Sequence, residues 1–317
     1  MDVRWAALFP GQGSQRVGMG RSLAHAFPEA AHVFAEADTT LDESLSSLCF
    51  EGPEDELKLT RNTQPALLTV SVAAWRVLEA RLGSRPVAAA GHSLGEYSAL
   101  VAARVLRFAD AVDAVRLRGE AMQDAVPVGV GAMAALLGAE AEAVLQLCES
   151  VRREGEVLVP ANYNAPDQIV VAGHRSAVER LIESSKGAGV KRAVLLPVSA
   201  PFHSPLMSPA GKRLAEHLRN IPFADPLFPV LANVDARPIT RGSEARERLI
   251  AQVASPVLWV DTMRRLEDEY GVQVGVEVGA GSVLAGLSRK INRDLRVMPF
   301  GEAEDADAVI LAMEAAS

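Results

Sequence analysis

The stretch AAAGHSLGEYSAL, residues 88–100, decides how this chain is read. Gly91, Ser93 and Gly95 form a G-x-S-x-G pattern. With glycine near 7% of residues in ordinary proteins, such a pattern arises by chance in about one chain in ten of this length. Its surroundings carry more weight than the pattern. The run PVAAA before it reads as a buried strand, and an apolar helix pattern follows it. A serine on a sharp strand-to-helix turn stands exposed at the tip, and the flanking glycines give the backbone room for that strained turn. The N–H of the next residue, Leu94, then lies at a helix N-terminus, where it can hold developing negative charge. Ser93 is the candidate nucleophile.

Two other apolar runs end the same way. VRWAALF leads into PGQGSQ, and VQVGVEV leads into GAGS. This strand–turn–helix rhythm predicts a parallel α/β sheet. Ligands of such sheets bind beyond the carboxyl ends of the strands, so the three turns are expected to meet at one site. Between them, TQPALLTVSVAAWRVLEARLG (63–83) predicts an amphipathic helix, with Thr63 as N-cap, Pro65 in the first turn and Gly83 as the stop. The middle of the chain changes rhythm. Residues 131–138 read as a strand, 139–154 as a helix, 157–164 and 167–173 as two strands about a turn, 174–187 as a helix and 190–199 as a last strand. That order, β-α-β-β-α-β, predicts a ferredoxin-like subdomain over 129–198, inserted into a large α/β domain made of 1–128 and 199–317. After it FPVLANV, helices over 243–270, a helix from about 282, RVMPFG and a final helix restore the first rhythm; RGSEARERL reads as a solvated helical face.

Composition excludes several classes. The 317 residues are 49% hydrophobic and 23% charged, as in ordinary globular enzymes, with room for a substantial core. A net charge of −8 argues against nucleic acid as the main partner. Cys49 and Cys148 lie in no C-x-x-C and near no histidine pair, so they are expected to be buried free thiols, with no metal site. The stretch MDVRWAALFPGQ has no long apolar run or cleavage pattern, so no signal peptide is expected, and no apolar run reaches the roughly 18 residues of a membrane span. A cytoplasmic protein is expected.

A nucleophilic serine needs a base. His25, His32 and His217 lie in charge-bearing helical stretches, and His174 starts a helix. His92 adjoins Ser93, but neighbours on a sharp turn point apart, so it reads as packing or site lining. His203, in VSAPFHSPLM after the last strand of the small unit, is the best candidate. An ordinary α/β-hydrolase places its histidine near the chain end, after an Asp or Glu, so this order disfavours a simple esterase or lipase. Arg116 and Arg118 lie on one apolar helix but cannot share a face. Residue patterns leave open whether one points inward, as a buried guanidinium seeking a carboxylate, or both reach solvent.

Seven stretches in order now carry a resemblance: LFPGQGSQRVGMG (8–20), TQPALL (63–68), GHSLGEYSAL (91–100), RGEAMQ (118–123), NYNAPDQIVVAG (162–173), VSAPFHSPLM (198–207) and EVGAGSVLAGL (277–287). Together they resemble the malonyl-CoA:acyl carrier protein transacylases and the related acyltransferase domains of polyketide synthases. The resemblance implies an α/β-hydrolase-like large domain carrying the ferredoxin-like insert. It implies Ser93 as nucleophile and His203 as base, a dyad without a carboxylate, with the backbone carbonyl of Gln252 orienting the histidine. The N–H groups of Gln12 and Leu94 match the oxyanion hole. Arg118 matches the residue that grips the malonyl carboxylate, Gln64 and Asn162 match site-lining positions, and Phe202 with Leu94 matches a malonyl-type pocket. The substrate implied is malonyl-CoA, and the acceptor is the phosphopantetheine thiol of acyl carrier protein; no metal or cofactor of its own is implied. The family's late loop is usually G-P-G-K, and here it is Gly279-Ala280-Gly281-Ser282. A polyketide assembly line, a thioester hydrolase and a non-catalytic binding protein are the alternative readings. An acidic carrier protein needs a local positive patch on an acidic enzyme. SRKINRDLR offers one, with Arg289 and Lys290 as the docking candidates beside Arg293 and Arg296, and Lys186, Lys191 and Arg192 as the alternative. A monomer is expected.

Overall fold

The computed structural model describes residues 3–198 and 200–315. In chain order, β1 (Trp5–Phe9) is followed by α1 (Arg21–Ala26), α2 (Pro28–Leu41), α3 (Leu45–Glu51), α4 (Glu54–Leu57) and α5 (Thr60–Arg81). Then come β2 (Ala88–Gly91), α6 (Gly95–Ala102) and α7 (Phe108–Asp124). The middle holds β3 (Gly131–Leu137), α8 (Ala141–Val151), β4 (Leu158–Ala165), β5 (Gln168–His174), α9 (Arg175–Ser184) and β6 (Arg192–Leu195). The rest comprises α10 (Ser208–Leu218), β7 (Val230–Leu231), β8 (Pro238–Ile239), α11 (Gly242–Gln252), α12 (Trp259–Asp268), β9 (Val274–Val278), α13 (Val283–Ile291), β10 (Arg296–Phe300) and α14 (Asp305–Ala315).

The larger sheet runs β10-β9-β1-β2-β7-β8. Its first four pairings are parallel, and β8 closes the edge as an antiparallel hairpin with β7, a pairing the sequence pattern did not announce. Successive side chains of a strand face opposite sides. Trp5, Ala7 and Phe9 therefore join the core under α5, α6 and α7, while Ala6 and Leu8 join one built from Trp259, Met263, Leu284 and Leu287 of α12 and α13. Helices cover both faces, as a parallel sheet requires. Phe9 pairs with Gly91 and Leu8 with Glu277, so the carboxyl ends of β1, β2 and β9 lie side by side.

The second sheet, order β4-β5-β3-β6, is antiparallel throughout. Ala132, Ala134 and Leu136 of β3 pack with Val144, Cys148 and Leu181 of α8 and α9. Met133 on the other face joins the large core with Val170 and Ala172. This sheet thus has its own helices on one side and the large core on the other. Strand β6 stops at Leu195, short of the predicted 199; Leu195 is 42% exposed on an edge strand and Pro197 follows closely. Ser199, where the predicted strand ends and the large domain was expected to resume, lies outside the described residues.

The start of α5 corrects the sequence reading. The helix begins at Thr60, with Leu59 as its cap. Thr63 is interior, and its hydroxyl donates to the Leu57 carbonyl at 2.6 Å. Pro65 is the sixth residue, and Leu82, not Gly83, closes the helix through its N–H to Leu78 O at 2.8 Å. The polar first turn is buried by tertiary contact, with Asn62 Nδ2 donating to Glu56 O at 2.9 Å, so local periodicity does not show it. Cys49 and Cys148 are buried and free, and burial pushes each thiol up to about 12. No helix among the described residues is long and apolar enough to cross a membrane.

Candidate active site

Strand β2 ends on Gly91, and the chain turns at once into α6. A Cβ at Gly91 would stand 1.9 Å from the Gly95 carbonyl, and one at Gly95 would stand 2.1 Å from Phe9 O. Only glycine lets these backbones approach so closely. Ser93 sits between them at φ 51, in the left-handed region. Asn233, just after β7, clamps the turn from below: Ser93 N–H donates to its Oδ1 at 2.6 Å, and its Nδ2 donates to Gly91 O at 2.7 Å. The N–H groups of Leu94 and Gln12 donate to no group among the described residues.

His203 also adopts a left-handed conformation, at φ 58. Its ring is buried, and Nε2 lies 2.7 Å from Ser93 Oγ. Nδ1 faces two carbonyl oxygens, Gln252 O at 3.0 Å and Ser255 O at 3.1 Å. A carbonyl can only accept, so the proton resides on Nδ1 and the Nε2 lone pair faces the serine. Burial pushes the His203 pKa down to about 3, with the Arg118 charge acting in the same direction and the Gln252 carbonyl opposing it. The imidazole is therefore neutral at physiological pH, as a proton acceptor must be.

The guanidinium of Arg118, on α7, is 2% exposed. It donates to Gln64 Oε1 at 2.8 Å, to Gln252 Oε1 at 2.9 Å and to Ser93 Oγ at 3.1 Å. The inward reading is right for Arg118; Arg116 instead forms a two-pronged pair with Glu43. Above these groups lies a cavity of about 180 Å³, lined by Gln12, Gln64, Asn162, Phe202, Met133 and Val198 among others. A larger cavity of about 590 Å³ by Arg76 and Pro222 contains none of this chemistry, so volume alone does not mark the site.

The predicted residues gather with two exceptions and one shift of role. Leu94 does not line the cavity; it is buried, and only its backbone faces the turn. Gln252 lies beneath the floor and adds to its carbonyl a side-chain amide that ties Arg118, Ser93 O and Glu96 together. The GAGS turn does not join the cavity: a Cβ at Gly281 would lie 3.7 Å from Ser14 Cβ, so this turn packs behind the PGQG loop. Lys290 Nζ donates to Gln168 Oε1 at 2.8 Å and lies 4.0 Å from Asp167, so it links α13 to the small sheet. Arg289 Nε donates to Ala285 O of its own helix. His92 lines the cavity, bonded to Asn164 Oδ1 at 2.8 Å. Sequence reasoning missed Asn233, Ser255, Asn164 and the buried Glu96. Glu96 and Asn164 were inside quoted motifs; Asn233 and Ser255 carry no spacing signal.

The acyl transferase domain family matches residues 7–309 of the chain. The malonyl CoA-acyl carrier protein transacylase of Bacillus subtilis (strain 168) is 48% identical over 305 residues, covering 96% of this chain and 96% of that protein. The solved structure of the malonyl CoA-acyl carrier protein transacylase from Coxiella burnetii is similar at a TM-score of 0.96 and 42% identity, covering 99% of this chain and 98% of that one. A malonyl-transacylase solved in complex with its type II PKS acyl-carrier protein is similar at a TM-score of 0.94 and 43% identity, covering 98% of this chain and 99% of that one. The chain belongs to the acyl transferase family, among the malonyl CoA-acyl carrier protein transacylases.

Proposed function

We propose that this enzyme transfers a malonyl group from malonyl-CoA to the phosphopantetheine thiol of an acyl carrier protein, for fatty acid biosynthesis, through an acyl-Ser93 intermediate. One observation carries the reading: Ser93 Oγ is approached at 2.7 Å by the lone pair of a neutral histidine and at 3.1 Å by a buried guanidinium. The first activates the hydroxyl. The second suits an acyl group that bears its own carboxylate, held by charge-assisted hydrogen bonds.

His203 Nε2 takes the Oγ proton as Oγ bonds to the thioester carbonyl carbon. The carbonyl oxygen, now negative, receives the open N–H groups of Gln12 and Leu94. The C–S bond breaks, and the CoA sulfur leaves with the proton held by His203. The carrier thiol then gives its proton to the same nitrogen, attacks the acyl-serine, and the Ser93 hydroxyl is restored. This is ping-pong transfer. A carboxylate behind the histidine is dispensable, because a thiolate leaves far more readily than an amine. In its place the carbonyls of Gln252 and Ser255 hold the tautomer. Gln64, Asn162 and Phe202 shape the acyl pocket.

The division into a large unit, 1–128 and 199–317, and a small unit, 129–198, belongs to the same reading. It is supported by two sheets that share no named strand pairing. The enzyme acts in the cytoplasm as a monomer. The carrier docks at the positive stretch around Arg289 and Lys290; because Lys290 also holds Gln168, Arg289 is the cleaner probe. The similar malonyl-transacylase with a type II PKS carrier favours a second reading, in which the acceptor serves a polyketide assembly line.

Intact mass tests the proposal. Malonyl-CoA is expected to add one malonyl group to the wild-type protein and none to Ser93→Ala, and carrier protein is expected to remove it as malonyl carrier. A malonylated Ser93→Ala protein, or release of the group as free malonate instead of transfer, overturns it.

A further inference from the structure

Glu96 lies three residues after the nucleophile, in the first turn of α6, with no exposed surface. The transfer steps do not use it. Its Oε2 accepts from Asn233 N–H at 2.9 Å and from Gln252 Nε2 at 2.8 Å, and Oε1 has no partner among the described residues. The Gln252 amide also donates to Ser93 O at 2.9 Å and accepts from Arg118 Nη2 at 2.9 Å. Arginine can only donate and an ionised carboxylate can only accept, so these two groups fix which way round the Gln252 amide lies. The oxygens around Arg118 belong to Gln64, Gln252 and Ser93, all neutral. Among the described residues no carboxylate lies in ion-pair contact with it; Glu96, one amide away, is the carboxylate whose charge acts on it.

We propose that Glu96 is a positioning residue for carboxylate capture: through Gln252 it aims the Arg118 guanidinium at Ser93 Oγ, and it is the counter-charge of that guanidinium until the carboxylate of an acyl group arrives. The inference rests on the malonyl reading above. Two carboxylates then share one buried cation, and like charges in a poorly polarisable interior oppose each other. Neutralising Glu96 is therefore expected to tighten binding of a carboxylate-bearing acyl group and to leave a neutral one unaffected. Burial pushes the Glu96 carboxyl up to about 7, with the Asn233 and Gln252 hydrogen bonds and the Arg118 charge restraining it. The other charged group acting on it is Asp235, after β7; Tyr97 beside it stays protonated, its phenol pushed up by burial. The charge of Glu96 thus changes across neutral pH, while His203 stays neutral.

Glu96→Gln keeps an acceptor oxygen for Asn233 and Gln252 and removes the charge. The readout is the malonyl-CoA concentration that half-saturates single-turnover malonylation of Ser93, with acetyl-CoA as a competitive inhibitor for control. In the variant the half-saturating concentration is expected to fall at least about threefold, and the acetyl-CoA inhibition constant to stay put. In the wild type it is expected to be lower at pH 6 than at pH 8, relative to acetyl-CoA, and the variant to lose that dependence. A half-saturating concentration that is unchanged or higher in the variant, or parallel shifts for both acyl groups, overturns the proposal in favour of a purely structural role. If the variant does not fold, the wild type decides: equal pH responses for malonyl-CoA and acetyl-CoA overturn it. A wild-type protein that forms no malonyl-Ser93 overturns the malonyl reading itself, and this inference with it.

Discussion

The β2–α6 turn and the β9–α13 turn leave the same sheet through glycine and enter a helix, yet they treat the helix N-terminus in opposite ways. At β2–α6 the Leu94 N–H is left open, Ser93 is held at φ 51 above it, and the Glu96 carboxylate is engaged elsewhere by Asn233 and Gln252. At β9–α13 a carboxylate from the strand itself fills the helix end: Glu277 accepts from Leu284 N–H at 2.9 Å and from Ala285 N–H at 2.7 Å. Burial raises the Glu277 carboxyl above its usual range, and these amide hydrogen bonds restrain it. The positive end of α13 is satisfied internally, whereas at that of α6 the Leu94 N–H is left without an acceptor among the described residues. A glycine turn at a strand end is a site only where its amides stay unpaired.

Substituting the glycines gives the largest expected contrast. Gly91→Ala would place Cβ 1.9 Å from the Gly95 carbonyl, backbone against backbone, so malonylation by intact mass is expected to disappear along with the native thermal transition. Gly281→Ala meets nothing nearer than 3.7 Å and carries only the left-handed penalty of its φ of +81, about 1 kcal/mol, with acylation retained. Wild-type acylation by Gly91→Ala would break the comparison.

Removing the base is expected to have a smaller effect. His203→Ala should slow single-turnover malonylation by about 10²- to 10⁴-fold while Ser93 remains in place. Because the His203 pKa lies at about 3, the acylation rate at saturating malonyl-CoA should stay flat from about pH 8 to about pH 5, where a histidine of ordinary pKa would be protonated. The same shift sets acid stability. The unfolded chain binds this proton at about pH 6.5 and the folded site refuses it until about 3, so above that window the group costs nothing and stability is lost as pH falls through it. Urea unfolding in wild type and His203→Ala across this range measures the difference; identical pH slopes would contradict the buried, neutral ring.

The capped turn should give the smallest functional effect. Glu277→Ala leaves two buried N–H groups without an acceptor and is expected to cost about 1–3 kcal/mol by urea unfolding, with malonylation within about twofold of wild type. A large loss of acylation at unchanged stability would mean that the β9–α13 turn takes part in the site after all.

How much of this was legible beforehand differs between the two turns. Ser93 could be read because a nucleophile turn needs two glycines at fixed spacing between a strand and a helix, a requirement local enough to leave a pattern. The GAGS turn left an equally clear pattern and was expected at the same site, because the pattern reports the backbone and not what fills the helix end. The start of α5 at Thr60 was missed for a related reason: its polar first turn is held by contacts with α4 that carry no periodicity.

The sequence by itself marked the main strands and helices, the strained turn and Ser93 as the candidate nucleophile, since strand period, helix period and glycine chemistry act over a few residues. His203 was one reading among six histidines until its motif was matched, and Arg118 was undecided between core and solvent. Tertiary structure decided what surrounds them. Asn233 meets Ser93 across 140 residues of chain, Gln252 meets its carbonyl across 159, and Glu96 meets Gln252 across 156. Hydrogen bonds over such separations impose no spacing on either partner. The neutral His203, the lowered Arg118 and the raised Glu96 all come from burial, which exists only once the two sheets have closed over the site.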